Sequence, residues 1–492
     1  LAGVTIAMPT GQLSFAAGAQ NDISLMAESE SQSETQSESQ SESETQSESQ
    51  SESQSESESQ SESESQSESE SQSESESQSE SESEKESETE TQDPNVPEGY
   101  KGIYKVSDLS LLSSKPDGKY MLMADLDLNS AEQASISVFR GTLDGNNHTI
   151  KGLKHALFQV LEEGTVSNLN LSSVQISGSG DAGALANVIG TGKKSAVTIQ
   201  NITITGSVTG TGNTGALAGV LKGTDVVISR IANSATVAGT ANAGGLIGLV
   251  QATDDQEGAA SVKLTESYNI GEVSAVTAGG LIGAAEIPNL AAARNIEIAN
   301  CYNAGVLEKG ANIVAKITAG NGQVVINKCV GIQFYYSVAS GMVGTSTMAA
   351  GSTQTSGCSI SNSYYYSMNP VYAFETGNCI TGTATALNDV QIKTQSYFKD
   401  FDFDGIWALN AAENGGYPYL KQTTMLPVSY VAPTAGTVLM DSKTGGKYLV
   451  STRSKAVSYA GVLDEEITSV SIPSQVEING ITYNVTAIAE GA

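Results

Sequence analysis

The 492-residue chain carries a formal net charge of −31, yet only 16% of its residues are charged and 5% are aromatic. The charge is concentrated: residues 28–92 hold 22 Glu and one Lys, a net −21, which leaves −10 for everything else. An acidic surface excludes nucleic acid as a partner, and no run of about 18 apolar residues is present to span a membrane.

Residues 1–27 open without Met on a mildly apolar, small-residue segment, LAGVTIAMPTGQLSFAAGA. Ala17-Gly18-Ala19 fits an A-x-A cleavage pattern, so the segment reads either as the end of a secretory signal lacking its basic start or as a disordered leader. Residues 28–99 are a stalk, almost wholly Ser, Glu, Gln and Thr up to 92 and closed by Pro94 and Pro97. Such a segment has no apolar surface to bury and is expected to be disordered, stretched by like-charge repulsion. Residues 28–92 would span about 45 Å as a flexible coil and on the order of 200 Å when extended.

Residues 100–137 read as an N-terminal cap. Ser107 is expected to cap a short helix through about Ser113, and 119–128 (KYMLMADLDL) to form a strand.

From 138 to 385 the chain repeats. One phrase returns as DAGALANVIG at 181–190, NTGALAGVLKG at 213–223, NAGGLIGLV at 242–250 and TAGGLIGAAE at 277–286. Gly183, Gly215, Gly244 and Gly279 mark the same place, spaced 32, 29 and 35 residues, and Gly245 and Gly280 follow the last two. A second anchor returns seven times as VSNL, IQNI, ISRI, LTES, IANC, INKC and ISNS, starting at 166, 199, 228, 264, 298, 326 and 360. A period in this range means stacked units, each one supersecondary element. The runs between anchors are short and β-rich, with no helical apolar spacing.

The pattern predicts an all-β fold: a right-handed parallel β-helix, a β-solenoid of about seven coils with small α+β caps. A β-propeller needs longer units. In a β-helix the repeat glycines would serve a sharp corner and close backbone approach, Leu would point inward, and the Asn of the second anchor would turn the chain at φ > 0.

Residues 386–425 read as a C-terminal cap: a short helix near 388–396, a strand FDFDGIW at 401–407, and a Gly-Gly-Tyr-Pro turn at 415–418. Residues 426–492 form a separate small β-rich segment.

The GG-L-I-G phrase, the Asn-Cys-Tyr anchor at 300–302, the lead-in FRGTLDGNNHTIKGL (139–153) and the exit FDFDGIWALNAAENGGYPYL (401–420) together resemble the GLUG-repeat domain of bacterial surface proteins. The resemblance spans roughly 100–425. It implies a secreted cell-surface protein, since proteins with this domain include adhesins and the non-catalytic parts of immunoglobulin A-cleaving metallopeptidases. GGKYLV (445–450) and 467–492 resemble the opening of BspA-type leucine-rich-repeat surface proteins, which implies that the chain is a fragment leading into further repeats.

Catalytic motifs are scarce. His148 and His155 are the two histidines; there is no HExxH and no G-x-S-x-G. His148 is read as structural. A polysaccharide-degrading β-helix would need clustered carboxylates, and the charges among the repeats are scattered. Asp400, Asp402 and Asp404 copy the start of a calcium loop, but the twelfth position is Ala411 where a bidentate Glu is needed, so a strand with one buried face is favoured. Cys301, Cys329, Cys358 and Cys379 lack a CxxC pair and are read as buried free thiols.

The expected function is therefore non-catalytic, without a cofactor: a monomeric adhesin or stalk holding a β-helix for an unknown protein or glycan. The alternatives are an accessory region of a surface metallopeptidase, or a polysaccharide-degrading enzyme. Candidate binding aromatics are Tyr335, Tyr336, Tyr364, Tyr365 and Tyr366, with packing under the C-terminal cap as the competing reading.

Overall fold

In the computed structural model the described residues are 93–130, 134–191, 195–251, 260–289, 293–307, 309–332, 338–366, 376–377, 379–410, 413–424, 438–441, 443–452, 456–464, 469–478 and 481–492. The leader and residues 28–92 of the stalk lie outside them. The described residues are mostly β. Three parallel sheets of 20, 9 and 5 strands run through the same repeats, followed by a five-stranded, mixed terminal sheet.

Register follows directly from the second anchor. Val166 pairs with Ile199, Ile199 with Ile228, Ile228 with Leu264, Leu264 with Ile298, Ile298 with Ile326 and Ile326 with Ile360. All seven side chains are buried in one continuous apolar core. A one-residue slip would turn the whole column outward, so burial fixes the pairing. The column extends past the repeats at both ends. Tyr120 pairs with Leu143 and Leu143 with Val166 at the start, and Ile360 pairs with Gly382 at the finish.

The third anchor residue turns the chain. Asn168, Asn201, Arg230, Glu266, Asn300, Lys328 and Asn362 all have φ between 45° and 57°. Asn tolerates this left-handed region through its short polar side chain. Arg230, Glu266 and Lys328 adopt it as well, so the position is imposed by stacking on neighbours and not by residue type alone.

The repeat glycines meet a different constraint. None of Gly183, Gly215, Gly244, Gly245, Gly279 and Gly280 has a positive φ. Their limit is space: the strands Asn242–Gly244 and Thr277–Gly279 fold back over Ile247–Gln251 and Ile282–Ile287. A Cβ on Gly244 would collide with the Ile247 carbonyl oxygen and sit 2.7 Å from the Gly283 nitrogen. Gly244→Ala should therefore lower stability by about 1–3 kcal/mol, and Val by more. An unchanged thermal melt for both variants would refute the packing argument.

Leu185, Leu217, Leu246 and Leu281 are fully buried, and their backbones bond in series: Leu217 N–H to Leu246 O, Leu246 N–H to Leu281 O. The series continues to Ile313 and Met342, in ANIVA and SGMVG, where the glycine phrase has drifted beyond recognition.

At the N-terminal end, a 3-10 turn Val106–Leu109 precedes the helix Ser110–Ser114. Ser107 lies inside that turn and is not its cap. The Asp108 carboxylate accepts the Tyr104 and Lys105 N–H groups at 3.0 and 3.2 Å and does the capping. The predicted strand at 119–128 is split into Lys119–Leu122 and Leu126–Asp127.

Candidate functional surface on the late repeats

After the last repeat the chain turns back along the outside of the large sheet. Asn388 opens this return strap with a reciprocal cap: its Oδ1 accepts the Gln391 N–H at 2.9 Å, and Gln391 Oε1 accepts the Asn388 N–H at 3.0 Å. The helix Asp389–Ile392 and the 3-10 turn Gln395–Tyr397 follow.

The FDFDGIW segment is not a continuous strand. Asp402 Oδ1 accepts the N–H groups of Asp404 and Gly405 at 3.0 and 2.8 Å, closing a tight turn. The turn brings Phe401 and Phe403 to the same apolar cluster, the outcome a strand with one buried face would also give. Only Trp407–Ala408 is extended, paired antiparallel with Tyr419–Leu420.

The strap covers an aromatic column. Outside the interior, Ala232, Tyr268, Tyr302, Val330 and Tyr364 pair in series. Tyr268 and Tyr302 stack at 4.7 Å. Tyr302 meets Trp407 at 6.2 Å, and Tyr364 meets Phe398 edge-on at 5.0 Å. Burial and the neighbouring Tyr268 push the Tyr302 hydroxyl pKa well up, which keeps it neutral. Specific bonds fix the path. Trp407 Nε1 donates to Asn300 Oδ1 at 3.1 Å, and the Lys399 N–H donates to Tyr364 Oη at 2.7 Å. Asn362 Nδ2 donates to Asp400 Oδ2 at 3.3 Å. At the far end Tyr268 Oη donates to Thr424 O at 2.7 Å, and Thr423 Oγ1 donates to Glu266 O at 2.7 Å.

This arrangement decides part of the aromatic set. Tyr365 points into the interior core, while Tyr364 and Tyr366 point outward and are buried beneath the strap. Alternation along a strand places them so. These three rings are packing and not an open binding face. Tyr335 and Tyr336 lie outside the described residues.

Two carboxylates of the acidic triplet are committed elsewhere too. Asp402 holds the turn, Asp400 takes Asn362, and the Lys421 ammonium donates to the carbonyls of Phe403 and Asp404 at 2.7 and 2.9 Å. A cation thus already sits on backbone carbonyls of this turn. Millimolar calcium should leave the melting temperature unchanged; a rise of several degrees would reinstate the metal reading.

His148 Nδ1 lies 3.0 Å from Asp125 Oδ1, which also accepts the Thr149 N–H at 2.8 Å. The Thr149 N–H, then His148, hold the Asp125 carboxyl below the usual range. The contact joins two lead-in turns. All four cysteines are buried and outside any disulfide. The Cys301 Sγ–H donates to the Ala299 and Leu264 carbonyls at 3.3 and 3.5 Å. Ser267 and Ser363 fill the same corner in neighbouring repeats with their hydroxyls. Burial pushes the Cys301 thiol well up.

Two internal features escape sequence reading. Asn233 Nδ2 donates to Asn269 Oδ1 at 2.7 Å, and Asn269 Nδ2 to Asn303 Oδ1 at 2.9 Å, a buried amide ladder. The repeated Tyr-Asn-x-Gly at 268–271 and 302–305 is its sequence signal. Arg294 is fully buried, with Nη2 donating to Gly223 O at 2.6 Å, and burial lowers its pKa to about 10.

Residues 98–206 match the M26 IgA1-specific metallo-endopeptidase N-terminal region family. An immunoglobulin A1 protease of Streptococcus sanguinis is 34% identical over 116 residues, 22% of this chain and 6% of that protein. One from Streptococcus pneumoniae strain R6 gives the same identity over the same length and the same shares. The chain thus spans about 6% of the length of these curated relatives. A candidate immunoglobulin A1 protease of known structure from Bacteroides ovatus shares 19% identity at a TM-score of 0.43, over 66% of this chain and 92% of that one.

Proposed function

We propose that this chain is a non-catalytic, extracellular region of a bacterial surface protein, of the kind that accompanies a peptidase unit in the immunoglobulin A1 proteases. The observation that carries the reading is the family match over 98–206. It falls on the lead-in and first repeats, whose buried side chains belong to one apolar core. In this reading the three parallel ladders are the faces of one right-handed β-helix, and the acidic stalk sets its distance from the cell.

Two supports are physical. The side chains singled out for chemistry hold turns and backbone groups: Asp402 a turn, His148 a carboxylate, the thiols carbonyls. The aromatic column that would suit a ligand is occupied by the chain's own strap. An adhesin role for the chain itself therefore needs a face other than Tyr364–Tyr366.

Protease shaving of intact cells tests the location: the region should be released from the surface, and retention in the cytoplasmic fraction would refute it. Incubation of the purified chain with immunoglobulin A1 tests the chemistry. The antibody should stay intact, and cleavage would overturn the non-catalytic reading. The downstream reading frame separates the two surface classes: HExxH marks the peptidase, and a wall anchor after further repeats marks the adhesin.

A further inference from the structure

The chain path across the late repeats has a mechanical consequence. The strap does not leave the array at its last repeat. It runs back past the repeats of Asn362 and Asn300 and is pinned at that of Glu266. The pin consists of Tyr268 Oη on Thr424 O and Thr423 Oγ1 on Glu266 O, contacts 156 and 157 residues apart in sequence. Beyond the strap, Val306 of the Asn300 repeat packs against the core of the terminal sheet, a side contact that parts before the chain after Thr424 pulls on the pin.

We propose that the strap is a load-bypassing latch: tension between the N-terminal side and the chain after Thr424 crosses the pin at Glu266–Tyr268, so the repeats of Asn300, Lys328 and Asn362 carry no load until the pin breaks. The argument is one of connectivity. A force entering at Asp93 travels through the lead-in and the repeats of Asn168, Asn201, Arg230 and Glu266. There it meets Thr423 and Thr424 directly. The later repeats form a closed loop off that path. Without the latch, force from the C-terminal side would enter at Leu387 and peel the outermost parallel strands first.

The latch is stronger than the strands behind it. It joins two hydrogen bonds to a packed cluster of Phe398, Phe401, Trp407 and Tyr417, all of which must leave before the last repeat is loaded. The last ladder rungs are short: Thr376–Gly377, Ile380–Gly382 and Thr385–Leu387. Once the pin fails, the loop behind it opens at a force above what its own strands withstand. It should be released in one event. The use of the latch in the cell rests on the surface reading above; the pulling experiment does not, so a failed latch leaves that reading standing.

Single-molecule pulling of the full chain by its two ends tests the proposal. The terminal sheet adds its own short step. The expected signature is one release of the 156 residues behind the pin, about 520–560 Å of contour length. Tyr268→Phe combined with Thr423→Val removes both pin bonds with little change in packing. That variant should open at lower force and in repeat-sized steps of roughly 90–130 Å. Blue-shifted Trp407 emission at zero force certifies that its strap is still docked. Repeat-sized steps in the unaltered chain would overturn the latch, as would an unchanged force and step size in the docked variant.

Discussion

Asn312→Gly and Gly331→Asn should each destabilise the protein by about 1–3 kcal/mol, and the double variant should recover most of the loss. The reason lies in an exchange between repeats. A Cβ on Gly245 would lie 2.7 Å from the Asn269 Cβ, and one on Gly280 would lie 2.7 Å from the Asn303 Cβ. Each glycine leaves room for the asparagine of the following repeat. In the next repeat the pair is inverted. Asn312 stands in line with Gly280, and Gly331 pairs with Asn303. A Cβ on Gly331 would lie 2.7 Å from the Asn312 Cβ, so one buried amide fills one space whichever strand supplies it.

Gly331→Asn alone puts two amides into that space. Asn312→Gly alone empties it and strips Gly341 O of the Asn312 Nδ2 donor at 3.1 Å. Together the changes rebuild the arrangement of the preceding repeats and extend the ladder from Asn303. They also remove the buried Asn312 Oδ1, which has no hydrogen-bond partner. Neither site has a positive φ, so no backbone strain opposes the swap. Denaturant midpoints for the four proteins give the coupling directly. Additive losses in the double variant would show that the two sites do not share one space.

The repeat register was legible because it rests on period and burial. The anchors VSNL through ISNS carry an inward aliphatic residue, and every one pairs with the next. The left-handed turn at their third residue was legible from Asn, and the structure extends it to Arg230, Glu266 and Lys328. The glycine constraint was legible as close approach; the corner itself falls to the anchor turn. What escaped was long-range. Nothing in FDFDGIW says that its Asp closes a turn, because alternating Phe fits a strand equally well until the partner surface is known. The aromatic column was visible only as scattered Tyr residues, since Tyr268, Tyr302 and Tyr364 become neighbours through stacking. The Gly280–Asn303 and Asn312–Gly331 inversion is written in the sequence, but it needs the register to be read as one space.

Trp407→Ala should cost about 3–5 kcal/mol, the second large effect, and its loss should be local to the strap. The indole is the chain's single tryptophan and is fully buried. It touches Phe401 at 4.9 Å and Tyr302 at 6.2 Å, and its Nε1 is the donor to Asn300 Oδ1. Truncation removes the ring from the middle of the strap and leaves Asn300 without its donor. The interior core does not include this cluster: Val166, Ile199 and their column pack among themselves. The melt should therefore split into an early strap transition and a later transition of the repeats. The tryptophan gives an independent readout in a variant that keeps it. Tyr302→Ala removes the ring that stacks on Tyr268 and meets Trp407 at a tilt, and should shift the emission red and admit acrylamide while the strand circular dichroism at room temperature is unchanged. A single cooperative melt for Trp407→Ala, together with unshifted emission in Tyr302→Ala, would mean that the strap and the repeats form one indivisible unit and that the aromatic column does not hold the strap down.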